Sequence, residues 1–108
     1  MGLSKETCVP CQGGIPPMSK ENCEAKLQEI DNWNLADNAK FLSKNFEFKN
    51  FKESLVFVNK VGEIAEEQGH HPDITFGWGY VGLVIQTHKI NGLHENDFIL
   101  AAKTDEIS

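Results

Sequence analysis

Apolar residues recur at three- and four-residue steps in two parts of the chain, and this periodicity predicts a helix in each part. Ser19 is placed to cap a first helix that extends to about Asp31. The range 51–68 carries the clearest helical pattern, and Gly69 is placed to end that helix in a left-handed conformation. A last helix is predicted to start near His94. The residues predicted to face the core are Cys23, Leu27 and Ile30 in the first helix and Phe51, Leu55, Val58, Gly62 and Ala65 in the second.

Between these helices, apolar and polar residues alternate with a period of two, which predicts two pairs of strands. The first pair flanks a turn at Asp37 and Asn38, and the second is a hairpin that turns near Gly79. The order α-β-β-α-β-β-α predicts an α+β fold, in which helices cover one face of a four-stranded antiparallel sheet. The open face is then expected to carry polar residues and the functional site. The alternating apolar residues of the hairpin are Ile74, Phe76, Trp78, Val81, Leu83 and Ile85.

The length of 108 residues is enough for one such domain, which we expect to span residues 19–108. Residues 1–18 form a lead-in segment that is rich in Gly and Pro and that could be mobile. Because its residues offer little apolar surface to bury, the part before Pro16 is expected to be dispensable for folding and activity.

The net charge of the chain limits the classes of molecule that it is expected to bind. The chain has 16 acidic and 10 basic residues, and its net charge of -6 disfavours binding to nucleic acid or to anionic lipid. A small polar ligand or a protein partner is favoured instead. No apolar run approaches the roughly 20 residues that cross a bilayer, and the first twenty residues lack a signal pattern, so we expect a soluble, cytoplasmic protein.

Three cysteines cannot all pair within one chain, which suits a reducing compartment. Cys8 and Cys11 form a C-x-x-C motif, which could be half of a zinc site or a redox pair, and Cys23 stands alone. No second C-x-x-C and no spaced histidine pair follows to complete a set of four ligands, so we assign the motif no metal role.

Two adjacent histidines follow the second predicted helix in the stretch EEQGHHPDI, residues 66–74. Glu66 and Glu67 lie in its last turn, where the helix dipole disfavours carboxylates. Glu66 is one helical turn before His70, and we expect it to orient that imidazole. His71 precedes Pro72, which restricts its backbone to extended conformations and holds the side chain on a rigid segment.

A third histidine, His88, is brought to the same place by the hairpin. If the turn is centred on residues 79 and 80, His71 lies opposite His88; if it is centred on residues 78 and 79, they are one diagonal step apart. Three imidazoles could hold a zinc ion with an open position for water, or they could act without a metal as general acid and base. Adjacent residues of a strand point to opposite sides, which favours acid/base chemistry because His70 and His71 would reach one metal only with distortion.

The stretch EEQGHHPDITFGWGYVGLVIQTHKINGLHENDF closely resembles the pterin-4a-carbinolamine dehydratase family. The likeness extends to DNWNL around Trp33 and covers roughly residues 19–103. Seven positions with fixed gaps carry it, and all of them fit the family pattern: Glu66, His70, His71, Pro72, Trp78, His88 and Asp97.

The resemblance implies an enzyme, a hydro-lyase that dehydrates 4a-hydroxytetrahydropterin to quinonoid dihydropterin and so recycles the cofactor of aromatic amino acid hydroxylases. It implies histidine acid/base catalysis with no metal or other cofactor, and assembly as a homodimer or homotetramer. The catalytic residues would be His70, His71 and His88, substrate would also contact Gly69, Gln86 and Thr87, and Glu66, Trp33, Trp78 and Asp97 would support the site.

Asp97 also has an interpretation that does not depend on the resemblance. His94 is a poor residue type for a helix cap, whereas Asp97, three residues later, can reach back to the cap amide, so we expect Asp97 to be structural. Leu93 and Phe98 have the spacing of a hydrophobic staple around that cap.

Two alternative functions stay open. One is a protein-binding dimerisation or coactivator module, a second role of animal relatives, and the other is a three-histidine zinc enzyme.

Overall fold

The computed structural model describes residues 2–9 and 15–108, and it has the predicted order of helices and strands. Among these residues, no helix is both long and apolar enough to cross a membrane. The helices are α1 (Lys20–Leu27), α2 (Phe51–Gln68) and α3 (Glu95–Ile107); the strands are β1 (Asn34–Leu35), β2 (Leu42–Glu47), β3 (Asp73–Gly77) and β4 (Tyr80–Ile85); and two 3₁₀ turns cover Leu3–Lys5 and His88–Ile90.

The four strands form one antiparallel sheet in the order β1-β2-β4-β3, which confirms the predicted α+β fold. Alternate residues of β2 and β4 point into the core, where they meet buried side chains of α2 and α3. Each large apolar side chain buried there contributes roughly 1.5–3 kcal/mol to folding. The fully buried members include Leu42, Val61, Val81, Leu83, Ile85, Phe98 and Leu100.

The hairpin register decides between the two alternatives left open by the sequence. Phe76 pairs with Val81 and Gly77 pairs with Tyr80, so the turn is centred on Trp78 and Gly79. Gly79 has a φ of 80°, a conformation that side chains disfavour. This register corresponds to the diagonal arrangement of His71 and His88.

The first helix is shorter than predicted. It begins after the predicted cap, since the Ser19 side chain accepts a hydrogen bond from the N–H of Asn22, but it ends at Leu27 instead of near Asp31. The next amides bond three residues back, as in the tighter turn that often closes a helix, and Asn32 then turns the chain with a φ of 58°. Ile30 therefore packs against the core from a turn.

The bounds of α2 and the left-handed Gly69 (φ 65°) are confirmed, but the apolar face predicted for the helix was only partly right, since Ala65 is buried and Val58 packs against the core. The buried side is formed by Ser54, Phe57, Val61 and Ala65. Phe51 and Leu55 of the predicted face are 46% and 39% exposed. The helix has apolar residues on two neighbouring faces, and periodicity alone does not tell which one meets the sheet.

Residues 2–9, here called the N-terminal strap, lie against α3 and bury more apolar surface than their composition suggested. Leu3 is only 2% exposed and belongs to the core cluster, as does Cys8. The Nζ of Lys103 donates to the carbonyl of Ser4 at 3.0 Å. The expectation of little buried surface was therefore wrong for the strap, while the division at residue 18 stays a prediction. Cys11 lies outside the described residues.

Two valines of α2 test which face of the helix carries the core. Val61 is fully buried and Val56 is 45% exposed. Val61→Ala should lower the free energy of unfolding by about 2 kcal/mol through lost contacts and a cavity, whereas Val56→Ala should change it by less than about 0.5 kcal/mol. Urea unfolding followed by circular dichroism measures both, and equal losses would contradict the assignment of faces.

Candidate active site

All six residues predicted to contact the substrate line one cavity of about 260 Å³. It lies where α2 and β4 end, and none of its lining residues belongs to a strand. The prediction of a site on the open face of the sheet was therefore wrong, although polar residues such as Ser43, Asn45 and Thr75 do occupy that face. The lining residues are Gly69, His70, His71, Gln86, Thr87, His88 and Lys89.

The end of α2 sets the direction of the histidine pair. The N–H of Gly69 donates to the carbonyl of Glu66 at 3.3 Å, and the N–H of His70 donates to that of Ala65 at 3.1 Å. Together with the left-handed Gly69, these bonds form the turn that commonly closes a helix. The chain consequently leaves the helix axis at His70.

His70 is held by a buried carboxylate. Its Nε2 lies 2.6 Å from Oδ1 of Asp97, which is 0% exposed. The other oxygen of Asp97 accepts from Oγ1 of Thr87 at 2.7 Å and from the N–H of His94 at 2.8 Å. Because an ionised carboxylate only accepts hydrogen bonds, this geometry assigns the proton to Nε2 and leaves Nδ1 of His70 for a ligand.

The same carboxylate caps α3, so Asp97 combines the expected structural role with a contact to His70. Its bond to the His94 amide is the predicted one. His94 proves to be a working cap, since its Nδ1 accepts from the N–H of Asn96 at 3.0 Å. Leu93 and Phe98, the predicted staple, are both 0% exposed.

His71 is held by Glu66, in a more exposed pair. Its Nε2 lies 2.5 Å from Oε2 of Glu66, and the two side chains are 58% and 79% exposed. The prediction that Glu66 orients His70 was wrong, because the turn at Gly69 rotates His70 away from the helix surface. Glu66 meets the next histidine instead.

His88 reaches the cavity from the segment that follows β4. It opens the 3₁₀ turn that follows β4 and is exposed. Lys89, which the sequence analysis did not select, lines the cavity beside it. Its position next to His88 in sequence was the only signal, and it adds a positive charge to a cavity otherwise lined by neutral residues and imidazoles.

The two tryptophans predicted to support the site lie elsewhere. Nε1 of Trp33 donates to Asp105 at 3.0 Å, near the far end of α3. Trp78 is 71% exposed in the turn of the hairpin, and strand β3 lies between it and His71 in the sequence. Neither side chain lines the cavity.

Within residues 2–9 and 15–108, no group of three or more His, Cys, Asp and Glu side chains is arranged to hold a metal ion. Nε2 of His70 and Nε2 of His71 each face a carboxylate.

Residues 16–107 match the protein family described as pterin 4 alpha carbinolamine dehydratase. The chain belongs to this family. It is 56% identical over 106 residues to a protein of Methylococcus capsulatus named "putative pterin-4-alpha-carbinolamine dehydratase", and the alignment covers 98% of this chain and 93% of that one. A protein of Halorhodospira halophila with the same name is 52% identical over 107 residues, which cover 99% of this chain and 98% of that one.

A solved structure confirms the fold of this dehydratase family member. The transcriptional coactivator/pterin dehydratase of Brucella melitensis is 26% identical and superposes with a TM-score of 0.79 over 84% of this chain and 97% of that one. The resemblance inferred from the seven positions is thereby confirmed, and the family is one of hydro-lyases.

The two carboxylates that hold the histidines should contribute very differently to stability. Asp97→Ala removes a cap and leaves three donors without their acceptor, so it should lower the free energy of unfolding by about 3 kcal/mol. Glu66→Ala is the matched control, because it removes the carboxylate of an exposed pair and should leave the urea midpoint unchanged. A stable Asp97→Ala protein would contradict the role assigned to the buried carboxylate.

Proposed function

We propose that this protein dehydrates 4a-hydroxytetrahydropterin to quinonoid dihydropterin by metal-free acid/base catalysis at His70, His71 and His88. One observation carries the proposal: two adjacent imidazoles, each with Nε2 on its own carboxylate, line the same cavity. That arrangement leaves an Nδ1 of each ring for the substrate. Family membership supports a pterin as the substrate class.

The reaction requires one proton donor and one proton acceptor at neighbouring atoms of the pterin. A protonated imidazole gives its proton to the 4a-hydroxyl as the C4a–O bond breaks and water leaves. A neutral imidazole takes the proton from N5, and the electrons of that N–H bond form the C4a=N5 double bond. Proton transfer of this kind contributes about 10²–10⁴-fold per positioned group.

The three histidines have different surroundings, which favour a different role for each in the proposed dehydration. His70 is 9% exposed and fixed by the buried Asp97, so its ring is preorganised for transfer at one geometry. His71 is hydrogen-bonded to an exposed carboxylate, and its exposure allows proton exchange with water. His88 lines the same cavity from the segment after β4, where it can help to hold the pterin ring beside the pair.

In the cell, this reaction would regenerate the pterin used by an aromatic amino acid hydroxylase. Cys8 and Cys23 are buried free thiols, as expected of a protein in the reducing cytoplasm. The zinc alternative, in which the same histidines bind an ion, predicts stoichiometric zinc in elemental analysis of the purified protein.

A protein-binding role has support of a different kind. The Brucella melitensis relative is titled a transcriptional coactivator as well as a pterin dehydratase, and a pterin dehydratase-like protein described as a RuBisCO assembly factor in the alpha-carboxysome is 26% identical with a TM-score of 0.61. That second alignment covers 71% of this chain and 89% of that one. The exposed residues Phe51 and Leu55 would provide an apolar contact surface.

Replacement of the histidines tests the catalytic proposal. His70→Ala and His71→Ala should each lower the dehydration rate by on the order of 10² or more, the usual loss of a general acid or base. The double mutant should be little slower than the slower single mutant, because members of one catalytic unit are not additive. His94→Ala is the matched control, since His94 does not line the cavity and should affect stability only. Full activity in a folded double mutant would end the enzymatic proposal for these residues.

We also propose a homodimer or homotetramer, because the sheet has two edges and α2 exposes apolar residues. Sedimentation velocity at micromolar concentration should show at least twice the mass of one chain. Leu55→Glu should shift the distribution towards smaller species, whereas Lys60→Glu, on another face of α2, should not. A monomer in the unaltered protein would contradict the assembly without affecting the catalytic proposal.

A further inference from the structure

The N-terminal strap bridges the two helix ends that carry His70 and Asp97. The backbone N–H of Cys8 donates to Oε1 of Gln68 at 2.8 Å, and Gln68 is the last residue of α2. The next residue, Val9, bonds to Asn96 in the first turn of α3. Two consecutive residues of the strap therefore bind α2 and α3 at once.

Asn96 binds the strap with both ends of its amide group. Its Oδ1 accepts from the N–H of Val9 at 3.0 Å, and its Nδ2 donates to the carbonyl of Val9 at 2.7 Å. The amide thus pairs with Val9 as a neighbouring strand would, which fixes direction as well as distance. Asn96 is 2% exposed, so its buried amide group would lose both of these partners if the strap moved away.

Both ends of this bridge are close in sequence to the histidine–carboxylate pair. Asn96 directly precedes Asp97, and Gln68 is two residues before His70. Neither Gln68 nor Asn96 lines the cavity. Any effect of these two side chains on chemistry therefore passes through the position of the backbone.

The sulfur of Cys8 has little part in this bridge. Burial raises the pKa of the Cys8 thiol to about 11, so the group is neutral at physiological pH. Its polar contact is a long approach of 3.6 Å to the carbonyl of Asn96. The bonds that join the helices come from the backbone of residues 8 and 9.

We propose that the N-terminal strap positions His70 against Asp97, and that Gln68 and Asn96 are positioning residues for the dehydration. The strap sets how closely the end of α2 approaches the start of α3, and hence the bond of 2.6 Å between His70 Nε2 and Asp97 Oδ1. A displacement of about 1 Å in such a constellation can lower a rate by about 10²-fold. The effect on turnover rests on the proposed function, whereas the effect on the His70 ring does not.

Kinetics of alanine variants give the first test. Gln68→Ala and Asn96→Ala should each lower kcat about ten-fold and change KM less than about two-fold, because neither side chain touches the cavity. The double variant should be close to the slower single variant, since both changes break one bridge. Gln28→Ala is the matched control: it removes the same amide group at an exposed position beyond α1 and should leave kcat unchanged.

Nuclear magnetic resonance of ¹⁵N-histidine-labelled protein gives a readout that needs no turnover. The Nε2–H of His70, assigned by its absence from His70→Ala, should exchange slowly with water because its bond to Asp97 is buried. Gln68→Ala and Asn96→Ala should speed that exchange or shift the resonance, and Gln28→Ala should not. Asn96→Asp keeps an acceptor for Val9 and loses the donor, so it should give an intermediate change.

Folded Gln68→Ala and Asn96→Ala proteins with an unchanged His70 resonance and unchanged kcat would overturn the proposal. A lower urea midpoint alone would also overturn it, because that result shows a purely structural strap. If Asn96→Ala does not fold, the Gln68→Ala protein alone tests the proposal, because the Gln68 side chain is only half-buried and its removal disturbs the core less. If the unaltered protein does not dehydrate the pterin, the proposed function fails, and the resonance of His70 still decides whether the strap positions the ring.

Discussion

The carboxylate of Asp97 joins three parts of the chain at one buried point. It caps α3 through the His94 amide, binds Thr87 just beyond β4, and holds His70 just beyond α2. A buried carboxylate is costly unless donors surround it, so these three groups must converge for α3 to pack. The orientation of His70 is thus a by-product of folding, which explains how a small domain can hold an imidazole rigidly without a dedicated loop.

Two residues adjacent in sequence reach one cavity because of what flanks them. The left-handed Gly69 ends α2 and redirects the chain at His70, and Pro72 keeps the backbone of His71 extended. The two rings then meet carboxylates from different sources, one buried in α3 and one exposed on α2. The His70–Asp97 pair is buried and fixed in position, whereas the His71–Glu66 pair is exposed to water. His70 therefore has a fixed geometry, and His71 can exchange protons with water.

Much of this arrangement could be predicted from sequence, and the failures have a common cause. Local signals predicted the order of elements, the bounds of α2 and the turn at Gly69, and the family resemblance implied six of the seven residues that line the cavity. They did not predict which face of α2 is buried, nor that Glu66 pairs with His71 and Asp97 with His70. The buried face of α2 and the pairing of Asp97 with His70 depend on how separate elements approach one another, and the pairing of Glu66 with His71 depends on how the turn at Gly69 directs the chain. Periodicity carries no information on either. The packing of the strap was not predicted, because composition reports only average polarity. Its contacts are made by the buried side chain of Leu3 and by the backbone of Cys8 and Val9.

The histidine pair and the exposed apolar residues lie on different parts of α2 and its end. One face, with Phe57 and Val61, belongs to the core, and the end of the helix carries the histidine pair. The neighbouring face, with Phe51 and Leu55, stays exposed in the single chain. None of the exposed residues of that face lines the cavity, so a partner that covers them would leave the entrance to the histidines open. A fold built this way can gain or change a binding partner on α2 without altering the groups that line the cavity, which gives a physical basis for a relative that is titled both transcriptional coactivator and pterin dehydratase.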